Sequence, residues 1–559
     1  MTDTHMTGTH TRATIRYLGG ETGHRSFFGG THSRTRIALI ALFIVGGMIL
    51  TPLIGWPGLL IGVVGCGTTF LLTTKTHRGT IIDRRVRRTR WKRRVQVGTD
   101  AFEPYEVGRW DQAEQAMRET QNLRGRARTQ ARWQARRSLT AIRSTPDGCD
   151  GMGWLQHGRG EPGIAWHAPI GEQPYLSVTF AVSGQLCGIE STAVMTRAAD
   201  GWGTFLASRA APSVLVGNVQ TMTRVLPADT AMQEFWVANS LDTDTPTEAI
   251  RSYEEVLRLT GEDAMVQRHF ITVSWPLNSA FADAASKYGT ARAGWRALMQ
   301  QEIVSTVRGL TEARLGEVET LTARQTVAVL LHQQNPSRPI DYVADVDPAE
   351  VGVSSHDEFS AHVVSGVNPM TGTASEWWHR TAAIRADALA TAPRTQLWLL
   401  DLLIGRDLQF IRSVSFHIHL IPASDAKAAA RQDLVRDAAE SLSRQEAGQF
   451  DTDETDVAMS AARRRSGDLV AGSHHHGAAW VGYVTISATN RDELARSSRQ
   501  LEETCATSLG IDRLDWLDSY QSAASGTTWP IGRGLAAERS SLSARIYARL
   551  AGTTDKEAI

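Results

Sequence analysis

Between Ile37 and Thr74 the chain carries no charged residue, and the stretch that follows, Thr76 to Arg94, is dense with arginine. An uncharged run of about 38 residues is nearly twice what one helix needs to cross a bilayer core, so it predicts two short transmembrane spans folded as a hairpin. Proline and glycine in Trp56-Pro57-Gly58 set the expected turn, with one helix over about 37–54 and the next over about 59–74. Each span is slightly short, so tilt or local bilayer thinning is expected. A secretory signal peptide fits less well, because the run exceeds a signal core and no small-residue cleavage site is followed by a normal mature start. A single tilted helix and a buried core hairpin are the remaining readings of the same run.

Arginine placement orients the hairpin. Arg25, Arg34 and Arg36 precede it, and Arg84, Arg85, Arg87, Arg88, Arg90, Lys92, Arg93 and Arg94 follow it, so both flanks belong on the cytoplasmic side. The basic run could also meet anionic headgroups or nucleic acid, although topogenesis alone explains it.

The formal net charge of the whole chain is zero, so an acidic remainder, including Asp451 to Asp456, offsets the basic flank. That balance speaks against a general DNA-coating role. Cys66, Cys149, Cys187 and Cys505 are scattered and form neither a disulfide framework nor a zinc spacing, as suits a reducing compartment. Lysine occurs only at Lys75, Lys92, Lys287, Lys427 and Lys556, and none follows a glycine. The chain therefore holds no G-x-x-x-x-G-K-[ST] loop, whose lysine reaches the nucleotide phosphates, and cannot be a P-loop ATPase by itself.

The fold class expected is an α/β (α+β) cytoplasmic body of ferredoxin-like or open-sheet units behind a two-helix transmembrane hairpin. The expected divisions are a cytoplasmic segment 1–36, the hairpin 37–74, a basic and helical membrane-proximal segment 75–147, a first α/β domain 148–335, a loop-rich connector 336–395, a second α/β domain 396–540 and a tail 541–559. Within them, 110–140 reads as one charged helix and 148–174 as a glycine- and proline-rich separator. Leu176, Val178, Phe180 and Val182 alternate as a strand with one face on a core. Further strands are expected near 214–225 and 270–275, and helices over 197–209 and through Trp295 to Val307. Thr322-Ala323-Arg324-Gln325 offers a capping box for a helix ending near Asn335-Pro336. In the second unit, Val414, Phe416, Ile418 and Leu420 alternate along a strand, a helix follows over about 425–449, and after an acidic break a second helix leads to a strand at 480–488. Asn490 caps the next helix, and a last strand falls near 514–517.

Among candidate chemistry, His417-Ile418-His419 places two imidazoles on one strand face, the geometry that holds the metal in HUH-type nucleases, with Tyr547 as a nucleophile to be proposed. A plain structural role on a solvent-facing strand competes with it. His474-His475-His476 reads as a loop tip with room for adventitious metal. His356, Asp357, Glu358 and His379 offer mixed ligands in no recognised zinc spacing. Trp377, Trp378 and Trp529 are interface candidates, with core packing as the alternative. No dinucleotide fingerprint, G-x-S-x-G elbow or H-E-x-x-H pair occurs, so no catalytic residue, metal ligand or cofactor is assigned.

Several segments together carry a resemblance. Tyr17-Leu18-Gly19-Gly20 and Arg25-Ser26-Phe27-Phe28-Gly29-Gly30 precede the hairpin; Asn335-Pro336-Ser337-Arg338-Pro339, Ser355-His356-Asp357 and Ser375-Glu376-Trp377-Trp378-His379 lie in the middle; Arg412-Ser413-Val414, Ile421-Pro422 and Thr528-Trp529-Pro530-Ile531-Gly532 come late. The chain resembles the actinobacterial integral membrane family encoded beside a VirB-type ATPase in type IV secretion and conjugation modules. Its hairpin is similar to PrgI-like membrane subunits and its body to the N-terminal, non-motor part of the conjugative ATPase. The resemblance spans most of the chain on diffuse motifs; the charged helix after the hairpin and the tract at Asp451 depart from the pattern. It implies a multi-pass protein of the bacterial cytoplasmic membrane, a structural component and not an enzyme. It would dock a separate P-loop ATPase, beside other channel subunits and possible further copies of itself, with direct DNA contact left open. A type VII secretion subunit of the EccE kind shares the outline, and a membrane-tethered nuclease using His417 and His419 is the enzymatic alternative.

Overall fold

A computed structural model describes residues 16–18, 34–73 and 81–534, apart from 171, 186–189, 229–230, 243, 262–264, 391, 396, 405–407 and, single positions 431 and 467 aside, 429–475. The body is a mixed α/β structure built on one 14-stranded sheet among the described residues. Its centre is made of eight strands: β1 (Tyr175–Val182), β2 (Asn218–Pro227), β3 (Met265–Pro276), β4 (Val318–Thr320), β5 (Ala374–Ile384), β6 (Ile411–Ile421), β7 (Gly477–Ala488) and β8 (Asp515–Trp516).

The strands fall into two sets with the same spatial order. The first runs β4-β1-β3-β2 and the second β8-β5-β7-β6, with every neighbouring pair antiparallel. The sets join because β2 and β6 pair edge to edge, from Arg412 opposite Val225 to His419 opposite Asn218. Correspondence extends outward. The hairpin Met152–Gln156/Ile164–His167 continues the sheet from the start of β1, and Ser355–Asp357/His362–Val367 continues it from the start of β5. The chain is thus pseudo-two-fold about the β2–β6 seam, which turns two exposed edges into interior strands.

One face of the sheet is apolar and lies under helices. In the first set, α6 (Thr192–Arg209) and α7 (Ala291–Glu312) cover Leu176, Val178, Phe180, Val219 and Val273; in the second, α9 (Arg491–Thr507) covers Val484, Ile486 and Ala382. The helices start where the sequence supplies caps. Asn490 accepts from the amide of Glu493, and Thr322 and Gln325 form a reciprocal box before α8 (Ala323–Gln334), which ends at Asn335.

Several expectations need correction. Residues 336–395 are not a loop-rich connector, since they supply β5 and the hairpin beside it. Residues 148–174 likewise form a hairpin of the sheet. The hairpin strands are short and β5, though 11 residues long, mixes charged, aromatic and small residues, so periodicity hides them until their partners are known. One sheet runs through both sides of the divisions at 335 and 396, although the apolar cluster under each strand set is its own. The single helix expected over 110–140 is two, α4 (Val107–Glu119) and α5 (Gly125–Ala141), broken by a 3-10 turn at 120–122 and by Gly125 at φ +61°. The helix expected over 425–449 lies almost wholly outside the described residues; the helix after it, the acidic tract and the tail 541–559 lie outside them.

The uncharged run forms α1 (Arg34–Ile54) and α2 (Trp56–Thr73), an antiparallel pair. The turn is tighter than expected: Gly55 alone breaks the helices at φ +78°, and Trp56, Pro57 and Gly58 form the first turn of α2, where proline's missing donor costs nothing. Glycines set the spacing between them. A Cβ on Gly58 would stand 2.5 Å from the Leu50 carbonyl carbon, and one on Gly47 would stand 3.0 Å from Gly62 Cα. Among the described residues no helix is, on its own, long and apolar enough to cross a membrane. The hairpin nevertheless leaves its outer surface apolar, with Met48 70% exposed and Leu53 and Trp56 each 74%.

Candidate functional site

Strand alternation gives the second face of the sheet a different chemistry. Opposite the apolar positions, β1 to β3 carry Ser177, Thr179, Gln220, Thr272 and Ser274, and β5 to β7 carry Thr381, Ser415, His417, Thr485 and Ser487, all buried. Such a face would ordinarily meet water. Here α8, α10 (Gln521–Ser525) and the segment 526–534 lie over it and satisfy its groups.

Gln220 sits at the seam. Its amide nitrogen donates to Ser415 Oγ at 2.9 Å and to the Trp529 carbonyl at 2.8 Å, while its oxygen accepts from the Gly532 amide at 2.8 Å. Gly532 has φ +70°, and a Cβ there would stand 2.2 Å from Ser274 Oγ, so both conformation and space call for glycine. The pseudo-symmetry reaches single hydroxyls. Thr179 meets Thr272 at 3.2 Å and donates to the Pro530 carbonyl, and the equivalent Thr381 meets Thr485 at 2.8 Å, which meets Thr528 at 2.8 Å.

The arginine-rich helix α3 (Ile81–Val97) is fastened to this assembly by Arg94. Its guanidinium donates to Asp357 Oδ2 at 2.6 Å, Asp147 Oδ2 at 2.9 Å, the Ser519 carbonyl at 2.9 Å and Ser522 Oγ at 3.1 Å, and stacks 4.4 Å from the Tyr520 ring centroid. Burial opposes the Arg94 charge, but Asp357 and Asp147 outweigh it and raise the pKa above its ordinary value. Burial likewise pushes the Asp357 carboxyl upward, and His362, bonded at 2.9 Å, together with Arg94 reverses that and holds it below the usual range. Two turns earlier, Arg87 donates to Asp515 at 2.9 Å and to the Trp516 carbonyl at 2.7 Å. Arg87 and Arg94 therefore belong to the joint between α3 and the sheet, not to a solvated flank. Arg84, Arg85, Arg88, Lys92 and Arg93 remain exposed.

The proposed metal ligands do not converge. Among the described residues no three His, Cys, Asp or Glu side chains are grouped to hold a metal. His417 and His419 do share a face, but His417 is buried, with Nε2–H donating to the Thr527 carbonyl at 2.8 Å, while His419 is exposed. Burial lowers the His417 pKa to about 4. His379 donates from Nε2 to the Gln334 carbonyl and accepts at Nδ1 from Ser487, and burial lowers its pKa to about 3. His356 points to solvent while Asp357 is consumed by Arg94 and His362. Tyr547, His474 and His475 lie outside the described residues.

Of the interface candidates, Trp529 is core, packed with Cys149, Val327, Leu330 and Ile531. Trp377 and Trp378 are half-buried on opposite faces of β5, one donating to Ser337 Oγ at 2.8 Å and the other to Glu376 at 2.7 Å. Sequence reasoning passed over Gln220, Gln521, Ser522 and Asp147. The one available signal was Gln220, an amide in a strand whose neighbouring polar positions are threonines. Compared with protein-family models and with curated proteins, the chain matches none.

Proposed function

We propose that this chain is a membrane-anchored structural component of a conjugative type IV DNA-transfer machine, whose body docks a separate P-loop ATPase at the cytoplasmic face. The observation that carries the anchor is the α1–α2 pair, apolar on its outer surface and closed by glycine contacts, as helices in lipid are. Exposed apolar surface of that extent needs lipid or protein to cover it. Each helix alone is short, so the pair is inserted as a unit in a locally thinned bilayer.

The strand orders β4-β1-β3-β2 and β8-β5-β7-β6, each interleaved with helices, are those of ferredoxin-like units, consistent with the resemblance to the non-motor part of a conjugative ATPase. Arg87 and Arg94 support a platform role, because they make α3 a rigid continuation of the body and so couple it to the anchor. The commitment of His417 to Thr527 weighs against the nuclease alternative. A type VII subunit of the EccE kind also pairs two N-terminal spans with a cytosolic body, and stays the runner-up.

Purification of the tagged full-length protein in mild detergent from its own host, with mass spectrometry of what accompanies it, tests this. A P-loop ATPase with conjugation proteins is the expected result. Type VII components would replace the reading with the runner-up, and reproducible absence of any ATPase would overturn it.

A further inference from the structure

The cations that the joint leaves free form a pattern of their own. On α3, Arg84, Arg88 and Lys92 recur every four residues along a face that flanks the one carrying Arg87 and Arg94, all three exposed. On α5, Arg128, Arg132 and Arg136 recur in the same way, also exposed, and the helix contains no acidic residue. Residues four apart lie on one helix face, so each helix carries one cationic row. The helices are neighbours: Trp133 Nε1 donates to the Gln96 carbonyl at 3.1 Å, one turn beyond Lys92, and Gly98 packs on Arg137. Topogenesis accounts for the first row but not for the second, which lies far along the chain from the hairpin and reaches α3 only through folding. Glu114 on the adjoining α4 is paired with Arg118 at 2.7 Å and does not neutralise the rows. Exposed aromatic residues accompany them. Trp133 is 40% exposed, and Tyr105 and Trp110 lie tilted against each other at the start of α4 with ring centroids 6.1 Å apart.

We infer that α3 and α5 form a docking surface for an anionic phospholipid bilayer, with the two rows on headgroup phosphates and the aromatic rings at the interface. Cations near an anionic leaflet and amphipathic rings at headgroup depth are the chemistry that such a surface recognises. The place of α3 in the chain, next after the hairpin, favours the bilayer over nucleic acid, and to that extent the inference rests on the anchoring proposed above.

The test uses the full chain with Cys66 and Cys187 replaced by alanine and Thr129→Cys, on the side of the α5 row, carrying an environment-sensitive fluorophore. It is reconstituted in phosphatidylcholine vesicles with or without one-third phosphatidylglycerol, each doped with headgroup spin label. Quenching should rise severalfold in the anionic vesicles, fall on raising salt, and return to the neutral-lipid level in the triple variant Arg128→Gln, Arg132→Gln, Arg136→Gln, whose buried Cys149 should stay protected from labelling. Equal quenching in both lipids overturns the inference, as does a reporter that ignores lipid charge but responds to duplex DNA. Carbonate extraction separates the two readings. Protein that resists extraction while its reporter stays in water loses the headgroup contact and keeps the anchor. Protein that is quenched yet released loses the anchor and keeps the contact.

Discussion

His417 is held neutral because it is buried with a carbonyl as its partner, and that has a consequence for stability. An unfolded histidine titrates near 6.5 and His417 in the fold at about 4, so between those values the unfolded chain binds more protons. Its contribution is therefore complete above about pH 6.5 and is lost as pH falls, at up to about 1.4 kcal/mol per pH unit. His379 and His167, each lowered by burial to about 3, act with the same sign. Denaturant unfolding in detergent at pH 7.5 and 5.5 should show the wild type losing stability on acidification, and His417→Gln, which keeps a donor for Thr527 but does not titrate, losing about 1 kcal/mol less. Equal losses would mean that His417 does not titrate in this window. The sequence showed that His417 and His419 share a strand face, because alternation is a backbone property. It did not show that His417 is covered while His419 stays exposed, because the covering segment lies more than a hundred residues away.

At the scale of elements, legibility follows how local the cause is. The boundaries of α8 and α9 were readable from Thr322-Gln325 and Asn490-Glu493, since a cap is satisfied within four residues. The strands 355–357 and 362–367 were not, since they depend on β5 and on each other for partners. The hairpin stands between these cases. Its helices were evident from the uncharged run, but placing the turn at Trp56-Pro57-Gly58 overlooked that proline is welcome in a first turn, where Gly55 already reverses the chain. The packing of that pair gives a sharp expectation. Replacing Gly58 by leucine keeps the segment apolar yet sets a Cβ 2.5 Å from the Leu50 backbone, so the helices must separate. Cys66 lies against the Ile40 carbonyl at 3.6 Å, which supplies the reporter. In membranes, an Ile40→Cys chain should cross-link to Cys66 on oxidation, and adding Gly58→Leu should reduce the yield several-fold. An unchanged yield would show that glycine contacts do not hold the pair.

For the whole molecule, the decisive relation is between the two strand sets. Expecting separate domains at 148–335 and 396–540 was reasonable from a chain that alternates strands and helices twice, but the β-α-β-α-β order assigned to the second set holds β6, β7 and β8 and lacks β5. What no local pattern could supply is the β2–β6 seam, or the return of residues 521–534 across both sets, from Thr381 and Thr485 in one to Gln220 and Thr179 in the other. Two units that share a sheet and one covering segment cannot lose it separately: removing the segment breaks hydrogen bonds of buried hydroxyls and amides in both, at about 0.5–1.5 kcal/mol net for each bond. The body should therefore unfold as one cooperative unit. Two cysteines report on opposite sides of the seam. Cys149 lies under Trp529 beside the first set and Cys505 lies on α9 against the second, both fully buried, with burial raising each thiol to about 12. Thiol labelling across a urea series, read peptide by peptide in the mass spectrometer, should give the same midpoint for both. Midpoints well apart would mean that the seam and the covering segment contribute little, and that the two sets fold as independent domains after all.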